Sequence, residues 1–347
     1  MKKIVYVIAA AALMLGMSSC NKENFASQSV NGAPVECVFN LSGLEASPVT
    51  KATGLESDAS GIDAEKAVTS LQVFAFGSDG FLAGYGKVAD AKTLKLVINS
   101  GSGYSFYAIA NADDYSTSVA KVADLDALVS DLLGTANGAS KFVMVGSLTN
   151  QTVSSESKTF SFEVARRAAK VVLRKVTNSL PAASGAISIE GIYLSNVVTN
   201  STLVGDALPA TPVWVNQKGD YASLSSYNWF GDKLATAATV ANAGTYETAH
   251  TFYAAANPTA TDSDADTFGA RFTRLVIKAK IQGVDYYYPV SFNKELPALT
   301  ANEYIDITNI NIKHLGSTDP EKPVTTDEVT ITVTVKDWNK TEKEVEI

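Results

Sequence analysis

From Val35 onward the chain is a succession of short runs in which apolar and polar residues alternate. Val35, Cys37, Phe39 and Leu41 share one parity; Glu36 and Asn40 hold the other. A period of two sends successive side chains to opposite faces of an extended strand, so such a run buries one face only. Apolar strand-like runs recur at 71–76, 93–98, 104–109, 141–146, 158–164, 249–256, 272–281, 284–292 and 304–314. Turn residues separate them, among them Gly77-Ser-Asp-Gly80 and Asn99-Ser-Gly-Ser-Gly103, and Gln282-Gly283 reads as a two-residue hairpin turn. The Gly-rich stretch 77–86 is taken as turn throughout, since it lacks phosphate-loop spacing and a following helix. A single helix is expected where Val119, Val122, Leu125, Leu128 and Leu132 recur at three- and four-residue spacing, with Gly134 as its stop. Val164–Val176 reads as one long strand, paired with 187–198 through a turn at 179–185. Many short strands and one helix mean an all-β chain of β-sandwiches. The 347 residues suffice for two such domains, and 46% apolar residues supply their cores. The boundary is expected near residue 163.

The N-terminus has a different design. Lys2 and Lys3 precede an apolar stretch, Ile4–Gly16, of about a dozen residues, too short to span a bilayer of ~30 Å as a helix. Met17-Ser-Ser-Cys20 then matches the pattern cut before a lipidated cysteine, with residues 1–20 as lipoprotein signal and lipobox. Two or three acyl chains anchor a protein stably, so the precursor is expected at an outer membrane. Asn21-Lys-Glu-Asn24 is a faint version of a surface-export signal. Residues 21–34 read as a tether, and 42–66, rich in Ser, Gly, Asp and Ala, as a long exposed loop carrying Lys51.

Several chemistries are excluded early. With 28 Lys+Arg against 36 Asp+Glu the net charge is −8, which argues against nucleic acid as a partner. Two cysteines and two histidines, His250 and His314, leave little for metal sites or His-dependent triads. No catalytic or metal constellation and no cofactor site is found. Asp262, Asp264 and Asp266 open like a calcium loop, but Thr267 and Thr273 stand where Gly and Glu belong, so a solvated turn is expected. Arg166-Arg167 is a candidate protease or anion site; on a strand the two point apart, which favours a structural role at the domain junction. Trp214, Trp229, Tyr286, Tyr287 and Tyr288 are candidates for a carbohydrate platform, though aromatics are also ordinary sandwich core.

Four features together resemble the fimbrillins, the subunits of the type V pili of Bacteroidales. They are the lipobox at Cys20; the early strand, then Val49-Thr-Lys-Ala-Thr53 and Val68-Thr-Ser-Leu-Gln-Val-Phe-Ala-Phe76; Val164-Ala-Arg-Arg-Ala-Ala-Lys-Val-Val-Leu173 with 187–196; and Asn302-Glu-Tyr-Ile-Asp-Ile307, Gly316-Ser-Thr-Asp-Pro320 and Val333-Thr-Val-Lys-Asp-Trp338. The resemblance implies two tandem transthyretin-like β-sandwiches and export as a lipoprotein. It also implies trypsin-like cleavage in the early loop, here between Lys51 and Ala52. The family's cut follows an arginine, so an Arg-only protease would not act at Lys51. It further implies that the first strand leaves and a strand from another copy, or from a related pilus subunit, replaces it.

The residues offer matching ends. Removing Val35, Cys37, Phe39 and Leu41 would leave a sandwich short of an edge strand, with bare apolar side chains and an unpaired ladder. Val329, Ile331, Val333 and Val335 repeat the same row near the C-terminus, and Val345 and Ile347 would extend it. Fully extended, 328–347 reaches roughly 65 Å. The expected organisation is 1–20 signal, 21–51 propeptide with the removable strand, 52–163 and 164–327 sandwiches, and 328–347 donor strand. The expected protein is a stalk-type pilus subunit; the alternative is a surface lipoprotein that binds glycans through aromatic platforms.

Overall fold

The computed structural model describes residues 32–42, 44, 65–131, 142–217, 230–259, 271–291 and 298–322, together with the backbone of 329–337 and 343–346. The first part of the chain gives β1 (Pro34–Ser42), β2 (Ser70–Phe76), β3 (Leu82–Ala89), β4 (Thr93–Asn99), β5 (Gly101–Ala110), β6 (Val129–Asp131), β7 (Met144–Val153), β8 (Thr159–Glu163) and β9 (Ala165–Arg166). One sheet runs β4-β1-β8 and the other β3-β2-β5-β7-β9. Cys37, Phe39, Val73, Ala75, Ile98, Phe106 and Phe162 are buried between them. This is the first sandwich.

The second part gives β10 (Ala168–Leu173), β11 (Val176–Asn178), β12 (Ile187–Ser195), β13 (Val197–Val198), β14 (Asn200–Thr202), β15 (Trp214–Val215), β16 (Gly231–Val240), β17 (Thr245–Tyr246), β18 (His250–Ala255), β19 (Arg274–Ile281), β20 (Val284–Ser291), β21 (Glu303–Ile312), β22 (Val329–Asp337) and β23 (Lys343–Glu346). β21 runs parallel to β10 and β11 on one side and antiparallel to β22 on the other. The facing sheet is β16-β12-β19-β20. Val171, Leu173, Ile189, Ile192, Ile277 and Ile307 fill the space between. The all-β sandwich architecture expected from the sequence is what the chain adopts.

Several elements differ from expectation. Strand β12 does not pair with 164–176. It crosses over a 3-10 turn, Ala182–Ser184, into the opposite sheet and pairs with β16 and β19. Both runs are buried almost throughout, and a buried strand needs partners above and below as well as beside it. The helix is one turn, α1 (Val122–Leu125), because β6 begins at Val129; Leu132 and Gly134 lie outside the described residues. β3 was hidden because glycines stand beside Val88 on its core-facing side. A Cβ on Gly84 would stand 3.2 Å from Leu96 Cδ2, and one on Gly86 2.9 Å from Leu94 Cδ2. The glycines thus make room for the leucines of β4, which closes that side of the sandwich. Gln282 and Gly283, at φ 50° and 84°, make the expected tight hairpin turn between β19 and β20.

The two sandwiches interlock. β6 pairs with β14 across the junction, and Leu203 enters a cluster with Phe74, Phe76, Val119 and Leu125 on the outer face of the five-stranded sheet. Phe142 packs against Tyr253 with ring centroids 4.8 Å apart.

Candidate functional site

β1 is the middle strand of its sheet, where an edge strand was expected. It is antiparallel to β4 from Pro34 to Asn40 and parallel to β8 from Val38 to Ser42. Lys158 O accepts from Val38 N at 2.8 Å, Lys92 O from Leu41 N at 2.9 Å, and Ala33 O from Ser100 N at 2.7 Å. Ser42 Oγ donates to Phe162 O at 2.8 Å. Removing β1 would therefore strip two ladders and leave a slot, where loss of an edge strand would strip one. β4, with β1 as its ladder partner, would stand apart from β8.

All four inward residues contribute to the first core: Cys37 and Phe39 are fully buried, Val35 and Leu41 partly. Phe39 sits in an aromatic box. Its ring meets Phe106 edge-on at 5.1 Å and stacks on Phe160 and Phe162 at 5.4 and 6.0 Å. Such contacts stabilise beyond simple burial. Burial pushes the Cys37 thiol up, so it stays protonated and behaves as a small apolar group. On the outer face Lys95 and Glu36 pair at 3.0 Å, but both side chains are about 60% exposed and the pair contributes little.

Lys51, Ala52 and Cys20 lie outside the described residues. Two described residues of the 42–66 segment, Leu44 and Glu65, are buried where exposure was expected. Leu44 is buried in the first core. Glu65 is 2% exposed and held from the second sandwich. Its Oε1 accepts from Lys170 Nζ at 2.9 Å and Tyr253 Oη at 2.7 Å, and its carbonyl accepts from Arg166 Nε at 3.1 Å. Arg167 turns the other way: Nε donates to Thr202 O at 3.0 Å and Nη2 to Gly205 O and Asp206 Oδ1. Both arginines are buried, so this dibasic pair holds the junction and is not displayed to a protease. Arg166 and Arg167 stand at the junction, as expected from the sequence; no local pattern marked Glu65 as joining them.

At the other end, the row Val329, Ile331, Val333 and Val335 pairs within the chain, opposite Ile312, Ile310, Ile307 and Ile305 of β21. β23 folds back antiparallel on β22, Val345 opposite Val333, instead of prolonging it. The tail is thus a hairpin on the margin of the second sheet. Upstream of it, Glu321 is anchored by Arg271 Nη1 and Asn196 Nδ2, each at 3.2 Å.

Among the described residues the aromatic candidates do not assemble into a platform. Tyr288 is core, Tyr286 packs against that core, and Trp214 is half-buried beside Val198. Trp229 and the acidic turn at 261–266 lie outside the described residues. His250 ties three strands together, its Nδ1 3.1 Å from Asp232 Oδ2 and its Nε2 2.8 Å from Tyr246 Oη. Among the described residues no group of three His, Cys, Asp or Glu is placed to hold a metal ion.

Residues 39–201 match the family described as major fimbrial subunit protein (FimA). No curated protein sequence matches the chain. Among solved structures, a candidate cell adhesion protein of Bacteroides eggerthii is 17% identical, with a TM-score of 0.60 over 90% of this chain and 98% of its own. A fimbrilin (FimA) of Porphyromonas gingivalis is 14% identical, with a TM-score of 0.59 over 88% and 98%. The tip fimbrial protein Mfa3 of the same organism, C-terminally truncated, is 15% identical, with a TM-score of 0.52 over 88% and 100%. At these identities the structures speak for a shared fold.

Proposed function

We propose that this chain, a fimbrillin over residues 39–201, is a stalk-type structural subunit of an extracellular pilus. It reaches the outer membrane as a lipoprotein on Cys20. A trypsin-like protease cuts between Lys51 and Ala52, β1 departs, and a strand of another subunit takes its slot. The observation that carries this reading is the position of β1. It is a core strand joined to the rest of the first sandwich only through the segment that contains Lys51. Until that segment is cut, β1 fills the slot at a very high effective concentration and blocks assembly; afterwards it is a free peptide. The strand that replaces it is the tail of a neighbour, residues 328–347, released from β21. β21 keeps β10 and β11 on its other edge, and Ile305, Ile307, Ile310 and Ile312 remain packed in the second core.

The test is N-terminal sequencing of fibres sheared from cells, with mass spectrometry of their peptides. The expected N-terminus is Ala52, with no lipid and no cysteine. A peptide containing Cys37 in assembled material would overturn the reading. In vitro, trypsin-cleaved full-length protein should form heat-resistant multimers, and a chain truncated at Asp327 should stay monomeric.

A further inference from the structure

We infer that the donor tail is rooted at Glu321, on the sheet that faces β21, so that release of the tail from β21 stops there and leaves 313–321 in place. This rests on the donor-strand reading above and names the residue that sets the reach of the tail. Ile312 at the end of β21 stands directly opposite Val329 at the start of β22. Strands that meet in this way can be joined by about two to five residues. Here the whole of 313–328 lies between them. Its described part crosses to the opposite sheet. Tyr288 Oη donates to His314 O at 3.3 Å. Ser317 N donates to Tyr287 O at 3.1 Å and Tyr287 N to Ser317 O at 2.7 Å, a bridge at the margin formed by β20. Ser317 Oγ accepts from Asp319 N at 2.9 Å, and Asp319 Oδ1 from Glu321 N at 3.0 Å. Glu321 then turns inward and is buried, its Oε2 accepting from Arg271 Nη1 and Asn196 Nδ2, each at 3.2 Å.

Both partners of Glu321 are buried and fixed in turn. Asn196 O accepts from Thr273 Oγ1 at 2.8 Å, and Asn196 N donates to Asn216 O at 3.1 Å. Arg271 O accepts from Asn257 Nδ2 at 2.8 Å. None of these bonds involves β21 or β22, so peeling the tail from β21 leaves them unbroken. Going further would take the Glu321 carboxylate away from a buried guanidinium, which is strongly unfavourable. The tether is therefore short. From Glu321, residues 322–327 reach roughly 20 Å to the donor strand, whereas from Ile312, residues 313–327 would reach roughly 50 Å. The slot of the next copy must lie within that shorter distance, which limits how far neighbours along the fibre can swing apart.

Hydrogen exchange read by mass spectrometry tests this, first on the uncleaved full chain. Peptides covering β22 and β23 should exchange at least about tenfold faster than a peptide covering 315–322, because the tail opens on its own and the anchored segment does not. Glu321→Ala should erase that boundary and bring 315–322 to the rate of the tail. Glu321→Gln, which keeps an acceptor oxygen for Arg271 and Asn196, should preserve it. The boundary in the natural chain is decisive even where Glu321→Ala does not fold: if 315–322 exchanges together with the tail, the inference is overturned. The second arm uses multimers of the full chain cleaved after Lys51, in which 315–322 should be as protected as before cleavage. Multimers in which 315–322 has lost its protection would overturn the root at Glu321 and leave donor-strand assembly standing. A cleaved chain that never multimerises, yet keeps the boundary at Glu321, would refute the donor-strand reading and leave the anchoring of 313–321 standing.

Discussion

Phe39→Ala in the uncleaved chain should be among the most destabilising single substitutions in the first sandwich. The side chain is fully buried, and three phenylalanine rings surround it within 6.0 Å. Those rings belong to β5 and β8, on opposite sides of the core, so the space cannot collapse without moving both sheets. Buried Phe→Ala substitutions cost about 3–5 kcal/mol when the site relaxes little. Whole domains are stable by only about 5–15 kcal/mol, so this is a large share. At about 2–4 °C per kcal/mol for a domain of this size, the unfolding midpoint should fall by roughly 6–20 °C. Glu36→Ala, on the same strand but facing solvent, is the control and should stay within about 0.5 kcal/mol. Calorimetry of the two variants compares them directly. Cleavage after Lys51 and washing out of the freed peptide should erase the difference, because the altered residue is then gone. If Phe39→Ala lowers the midpoint no further than Glu36→Ala, β1 is not a core strand of the first sandwich, and the slot built on it fails.

Lys170→Met should cost about 3–5 kcal/mol by urea denaturation, since it removes the cation paired with the buried Glu65 carboxylate; a loss below 1 kcal/mol would show that the clamp holds nothing. Burial holds His250 below its ordinary range despite Asp232 alongside, so the unfolded chain binds a proton more readily. Stability should therefore fall as pH drops from about 6.5 through the lowered folded value, and His250→Gln should flatten that slope in a pH series of denaturation curves. Gly316→Ala should lower stability by about 1–3 kcal/mol, because its Cβ would press on the Tyr287 carbonyl and come within 2.9 Å of the Tyr288 ring; an unchanged midpoint would mean that the 313–322 segment shifts freely.

What the sequence disclosed and what it concealed follow from the range of each signal. β1, β2, β4 and β19–β21 were legible because each carries its own alternation or apolar run, and the β19–β20 turn because Gln282-Gly283 tolerates positive φ. β16 was missed: its ten residues include three alanines and two threonines, and as the margin of its sheet it buries few of them. Placement was the harder matter. Nothing in Val35–Leu41 says whether a strand sits at the edge or the centre of a sheet; that depends on β8, more than a hundred residues later, arriving parallel beside it. Likewise Glu65 looked like one more polar residue in a loop. Its buried partners, Lys170 and Tyr253, are long-range contacts that no local pattern records.

The interlocking of the sandwiches bears on the proposed assembly. In a fibre built by strand donation, tension enters a subunit at the slot in the first sandwich and leaves through the tail of the second. A single covalent thread at Arg167 would make that junction the weakest point of the fibre. Here the load is shared. β6 and β14 form a ladder across the junction, Arg167 is bonded to the Thr202–Asp206 turn, and Glu65 ties the segment before β2 to β10 and β18. All three lie downstream of Lys51, so the proposed cut leaves them intact. They also lie away from β22 and β23, so release of the tail does not touch them. The elements proposed to move are thus the two at the ends of the chain, and the part proposed to stay is the part that carries the cross-links.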